Sequence, residues 1–149
     1  MDHLANNTAG LWAKRYYLAS RELMEATLRP YDLGSTQWYV LWLLTHQGPR
    51  PQRDFLALLQ VEKPTLSEIV SALVRKELVE QKAASGDQRQ RLLALTDSGK
   101  RLWEILPNPL DLIVTTGFAG VSESDLATVV RVLKGATERL NQMTGEMKK

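Results

Sequence analysis

Residues 62–77 read Glu62-Lys-Pro-Thr-Leu-Ser-Glu-Ile-Val-Ser-Ala-Leu-Val-Arg-Lys-Glu77. Leu66, Ile69, Val70 and Leu73 fall at i, i+3, i+4 and i+7, which predicts one apolar stripe of an α-helix. The opposite face carries Thr65, Ser67, Glu68, Ser71, Ala72 and Arg75, short or polar side chains without bulk. Such a face is either simply solvated or laid in a groove where it meets hydrogen-bonding edges. The flanking sequence decides between the two.

Upstream, Pro51 suits the first turn of a short helix with Phe55, Leu56 and Leu59 facing inward. Only Gln60-Val61-Glu62 separates it from the helix above, where Pro64 sits in the first turn. Two helices joined by so short a turn predict a helix-turn-helix whose second helix is the reader. Downstream, Leu78 to Lys82 predicts a strand, Ala83 to Asp87 a turn, and Arg89 to Leu95 a returning strand, so that a hairpin with Arg89 and Arg91 at its tip follows the reader. A helix-turn-helix followed by such a hairpin is a winged helix.

Outside this lobe the chain is helical. Residues 8–29 carry a wide apolar face, with Thr8 as N-cap and Pro30 as terminator. Ser35 is the expected N-cap of a second helix to about His46, which is apolar nearly all round and holds Trp38 and Trp42. His46, closing a helix, reads as a capping or packed residue and not as a ligand or base. Thr96 opens a helix from Asp97 that Pro107 and Pro109 split near Leu106. After a loop at Gly117–Gly120, Ser122 caps the last helix, with Asp125 three residues on and a tail expected to fray after Met143. The fold class is mainly α with a small β-hairpin wing: a winged helix-turn-helix lobe at 33–95 flanked by terminal helices at 8–30 and 97–143, within one domain spanning 1–149.

Composition narrows the function. The 149 residues contain no cysteine and two histidines, which removes thiol chemistry and disfavours a zinc site. There is no Gly-rich phosphate loop and no His–carboxylate–nucleophile set, so an enzyme is not expected and no cofactor or metal is called for. Trp38 to Leu44, the longest apolar run, is too short to span a bilayer, and no secretory signal is visible; the expectation is a cytoplasmic protein. Net charge is only +2, but residues 50–91 hold eight basic groups against four in residues 1–49.

Asp87-Gln-Arg89 and Leu95-Thr96-Asp-Ser-Gly99, with weaker agreement at Leu33, Gln37, Leu41 and Val61 through Leu73, resemble the wing and helix signatures of the MarR family of bacterial transcription regulators. Two positions depart from the family pattern: Glu68 stands where a basic residue is common, and Glu77 where glycine is usual. The resemblance implies a DNA-binding regulator, a repressor acting as a homodimer whose first and last helices interlock. It further implies recognition helices in successive major grooves of a near-palindromic operator, with wings at the minor grooves. On the reader, Lys63, Thr65, Ser67, Glu68, Ser71 and Arg75 are the residues expected nearest DNA, and the competing interpretation is a solvated face. Arg89 is expected at the minor groove or phosphate, with Asp87 shaping the wing, either alongside or instead. Arg53, Lys82 and Arg91 are phosphate neutralisers. The family also implies a small aromatic acid or phenolic effector, for which Arg15, Tyr16, Trp38 and Trp42 are candidate pocket residues. Core packing alone also explains the tryptophans. The alternative class is a helical protein-interaction module without sequence-specific DNA binding.

Overall fold

In the computed structural model, which describes residues 8–84 and 87–149 and the side chains of all of these except 84 and 87–90, Thr8 opens the first helix. Its Oγ1 accepts from the Leu11 N–H at 3.2 Å, and α1 runs Ala9–Leu28. Pro30 lies in a 3-10 turn, Arg29–Tyr31, that follows directly. The next helix, α2 (Ser35–Gln47), begins one residue earlier than Ser35 predicts: Gly34 is the N-cap, and its carbonyl accepts from Trp38 N–H at 3.0 Å. The freed donors at this end find side chains. Gln37 Oε1 takes the Gly34 N–H at 3.1 Å and Glu25 Oε1 of α1 takes the Ser35 N–H at 3.3 Å. Those two bonds replace the serine hydroxyl as the cap.

Pro51 does not start a helix. Arg50–Pro51 is a two-residue strand, β1, and α3 covers Asp54–Leu59. A proline without an N–H is tolerated here because β1 is an edge strand. The recognition-type helix α4 spans Lys63–Arg75, with Leu66, Val70 and Leu73 buried. β2 (Val79–Ala84) and β3 (Asp87–Leu95) then complete a three-stranded antiparallel sheet of order β1-β3-β2. Arg91 pairs with Ala83 within the ladder, and the register jumps from there to Ala84–Asp87. Arg91 therefore stands inside the sheet and not at the hairpin tip, because both strands run on into the stretch expected as a turn, β2 to Ala84 and β3 from Asp87. Trp38, Val40, Leu41, Phe55, Leu66, Val70, Leu73, Val79 and Leu93 form the core that all these elements share.

Three helix exits have the same construction. Asp32, Gln60 and Glu77 all hold positive φ, at 55°, 53° and 61°. After each, a backbone N–H reaches back five residues: Leu33 to Leu28 O, Val61 to Leu56 O and Leu78 to Leu73 O, at 3.1–3.4 Å. This is the Schellman arrangement, whose left-handed residue is usually glycine. At Glu77, the last of them, an L side chain in this region costs roughly 1–2 kcal/mol, offset in part by the backbone entropy that a glycine would lose. Glu77→Gly is therefore expected to stabilise the fold by about 0.5–1 kcal/mol, read as a higher urea midpoint at unchanged slope; a lower midpoint would show that the Glu77 side chain supports the lobe.

The helix α5 (Asp97–Ile105) is capped by Thr96, whose Oγ1 accepts from the Gly99 N–H at 3.0 Å and donates to the Glu77 carbonyl at 2.6 Å. The chain leaves the helix at Leu106, and α6 begins at Pro109 (Pro109–Gly117), the split that the two prolines predict. One compact unit ends at Leu110 and a second spans Asp111–Lys149. In the second, α7 (Glu123–Met147) is capped by Ser122 Oγ, accepting from the Asp125 N–H at 3.1 Å. Its last turns stay helical past Met143, where fraying was expected; the Gln142 amide donates to Glu146 Oε1 across one turn. Along α7, Val129, Val130, Leu133, Leu140, Met143 and Met147 are exposed. Among the described residues no helix is long and apolar enough to cross a membrane, and no group of three or more His, Cys, Asp or Glu could hold a metal ion.

Candidate nucleic-acid interface and aromatic cavity

Because Leu66, Val70 and Leu73 are fixed in the core, the helical period turns the other face of α4 outward. Lys63, Thr65, Ser67, Glu68, Ser71 and Arg75 are all exposed on it. Among the described residues none of the six spends its side chain on a hydrogen bond or ion pair. The result is a free row of donors and acceptors along three turns, with Lys63 at the end where the helix dipole favours phosphate.

The end of α4 is tied down. Lys76 Nζ donates to the Asp32 carbonyl and, at 3.0 Å, to Gln37 Oε1, and lies 3.8 Å from the Asp32 carboxylate. The C-terminus of the outward-facing helix is thus anchored to the corner between α1 and α2. In the sequence Lys76 is one of the basic groups bracketing this segment, and its anchoring partners lie about forty residues away.

The sheet sorts the remaining basic residues. Paired residues share a face and neighbours alternate, so Arg91 and Gln81 project to one side and Lys82 and Glu80 to the other. On the first side Arg91 Nη1 donates to Gln81 Oε1 at 3.3 Å, and Gln81 Nε2 donates to Gln52 Oε1 at 2.8 Å. On the second, Lys82 Nζ pairs with Glu80 Oε1 at 3.1 Å beside a groove also lined by Lys100, Trp103 and Glu104. Arg53 is exposed at the start of α3, next to an Arg50–Asp54 ion pair of 3.3 Å. Asp87 and Arg89 lie on β3, but their side chains fall outside the described residues.

The candidate effector residues separate. Trp38 and Trp42 line a cavity of about 220 Å³ together with His46, Trp103, Leu106, Pro107 and Asn108. Trp38 and Trp103 lie 5.5 Å apart between ring centres, His46 stacks on Trp42 at 4.6 Å, and its ring stands edge-on to Trp103 at 6.1 Å. Trp38 Nε1 is buried and has no acceptor among the described residues. Arg15 and Tyr16 do not line this cavity. The Arg15 guanidinium instead sits over the Trp12 ring, 5.2 Å from its centre. The spacing of Trp12 and Arg15, three residues apart on one helix, is the sequence signal for that pairing. Nothing comparable announces Trp103, which reaches Trp38 only through the fold. Nearby, burial and then the Tyr17 hydroxyl push the Tyr39 phenol above its ordinary range, so it stays neutral.

These features have close parallels among known proteins. Residues 31–90 match the model of the MarR family. The chain is 30% identical over 102 residues to the uncharacterized HTH-type transcriptional regulator YwoH of Bacillus subtilis, covering 68% of each chain. In three dimensions it is similar to the Staphylococcus aureus MepR–DNA complex, with a TM-score of 0.80 at 24% identity over 89% of this chain and 98% of that one. It is also similar to Bordetella bronchiseptica BpsR, whose DNA binding is regulated by 6-hydroxynicotinic acid, with a TM-score of 0.76 at 21% identity over 88% and 94% of the two chains. With its helix-turn-helix, its wing and these relatives, the chain belongs to the MarR family of winged-helix transcription regulators.

Proposed function

We propose that this regulator is a repressor that binds a near-palindromic operator as a homodimer and is released by a small aromatic effector. The observation that carries the DNA reading is the uncommitted outer face of α4, flanked by the wing and anchored through Lys76. Thr65, Ser67, Glu68 and Ser71 reach base edges, while Lys63 and Arg75 hold phosphates at the two ends of the helix. Arg53 and Arg91 neutralise flanking phosphates, Lys82 does so from the other face of the wing, and Arg89 enters the minor groove, with Asp87 shaping the wing. The exposed apolar side chains of α1 (Trp12, Tyr17, Leu18) and α7 support a second copy as the surface that covers them. A two-fold dimer presents its reading helices one helical turn of DNA apart, roughly 34–36 Å. The effector reading rests on the tryptophan-lined cavity between α2 and the end of α5.

With a net charge of only +2, affinity rests on local contacts doubled by the dimer and not on a global field. Gel shifts against pooled genomic fragments at several salt concentrations test this. The expected result is a selected, near-palindromic site and a salt slope corresponding to roughly 6–10 phosphates per dimer. Arg89→Ala is expected to weaken binding about tenfold at fixed salt and to lower that slope. Binding without sequence preference would instead favour the helical interaction module.

A further inference from the structure

Two basic residues end α4 side by side, and the fold uses them differently. Arg75 is exposed and has no partner among the described residues. Lys76, the C-cap of the same helix, is turned into the protein, its side chain only 28% exposed. Its ammonium donates to neutral oxygens, the Asp32 carbonyl and, at 3.0 Å, Gln37 Oε1. The Asp32 carboxylate stands farther off, at 3.8 Å, and is 94% exposed, so solvent screens it and it adds little.

Both neutral acceptors are themselves held. The peptide plane that carries the Asp32 carbonyl also carries the Leu33 N–H, which is bonded to Leu28 O at 3.4 Å. Gln37 Oε1 already accepts the Gly34 N–H at 3.1 Å and offers Lys76 its second lone pair. One oxygen therefore joins the first turn of α2 to the end of α4.

The other contacts of α4 leave this one a distinct task. Leu66, Val70 and Leu73 are buried in the core, and apolar burial is non-directional, so it holds a helix down more firmly than it fixes its rotation. At the N-terminal end the turn from α3 is closed by Val61 N–H on Leu56 O at 3.2 Å. At the C-terminal end Thr96 Oγ1 ties the Glu77 carbonyl to α5, and Lys76 ties the helix to the corner between α1 and α2. Bonds to base edges need donor and acceptor within about 2.7–3.2 Å, whereas attraction to phosphates acts over roughly 8 Å at physiological salt. A small displacement of α4 loses the first and keeps the second.

We infer that Lys76 is a positioning residue for DNA recognition: it fixes the orientation of α4 on the α1–α2 corner and so sets operator specificity without touching DNA. This role rests on α4 being the reading helix, as proposed above, and assigns part of its specificity to a residue off the reading face.

Lys76→Met in the full chain nearly keeps the side-chain length and removes the charge and the donors. In competition gel shifts it should bind the selected operator about tenfold more weakly, the scale of one mismatched base pair, while random DNA stays within about twofold of the parent. The salt slope on the operator should stay that of the parent, and circular dichroism should show a folded protein at the assay temperature. Lys76→Arg, which returns the charge and the donors, should recover part of the loss. Unchanged operator binding in Lys76→Met, or no recovery in Lys76→Arg, would overturn the inference. So would an unfolded Lys76→Met protein or a parallel loss on both DNAs, either of which makes Lys76 merely structural. A slope lower by about two phosphates per dimer would overturn it by making Lys76 a phosphate contact. A parent protein that prefers no operator sinks the reading of α4 and this role together, whereas a selective parent whose preference survives Lys76→Met sinks this role alone.

Discussion

Gly99→Ala is expected to destabilise the protein by about 3 kcal/mol, at the upper end of what overpacking costs. A Cβ at this position would stand 2.2 Å from the Leu78 carbonyl oxygen, 3.1 Å from its carbon and 3.2 Å from Leu95 Cδ2. The first two contacts are backbone, so no side-chain rotation relieves them. Relief requires α5 to lift away from the strand that follows α4. That movement loosens the bond from Thr96 N–H to Leu78 O, now 3.1 Å, and the bond from Thr96 Oγ1 to Glu77 O, now 2.6 Å. Leu95-Thr96-Asp-Ser-Gly99 is thus a docking device: the threonine caps α5 and grips the exit of α4, and the glycine permits the approach. Thermal melting should show Tm lowered by roughly 6–12 °C for a chain of this size. A variant melting within a degree or two of the parent would show that α5 moves freely against the lobe.

Glu68→Ala should change DNA recognition in two opposite directions. Glu68 is exposed in the middle of the outer face of α4 and has no partner among the described residues. A carboxylate there repels phosphate, so its favourable contact is with a base donor, of which cytosine N4 is the one in the major groove that suits it. Its removal should cost the selected operator about 1–3 kcal/mol per half-site, while random DNA binds more tightly because a repulsive charge is gone. Both changes are read by competition gel shift at one salt concentration. If operator and random DNA both gain affinity, Glu68 makes no base contact and only repels.

The lobe was legible because its period is strong. Leu66, Ile69, Val70 and Leu73 set the face of α4, and the short turn at Gln60–Glu62 together with the Gly86-Asp87 pair supplied the context. What stayed hidden depends on partners distant in sequence. A two-residue strand such as β1 has no periodicity, and it exists because Arg50 and Pro51 meet Leu93 and Leu92 of β3. Gly34 displaces Ser35 as cap because Glu25 and Gln37 are placed to take the free N–H groups. For the effector cavity, Trp38 and Trp42 were legible as a pair four residues apart on one helix. Trp103 and His46 were visible only as an apolar position and a capping or packed helix end, and their approach to the first two is a product of tertiary packing.

The left-handed helix exits at Asp32, Gln60 and Glu77 bear on precision as distinct from strength. A glycine at such a joint is at ease on both sides of φ = 0, so the angle between the segments it joins is softly held. A residue with a side chain occupies a small left-handed well and leaves it only by crossing forbidden territory. The chain thus gives up some equilibrium stability at three bends, two of which bracket α4, and gains stiff joints there. For the Glu77→Gly variant this separates two quantities usually expected to rise together: the fold tightens while the aim of α4 broadens.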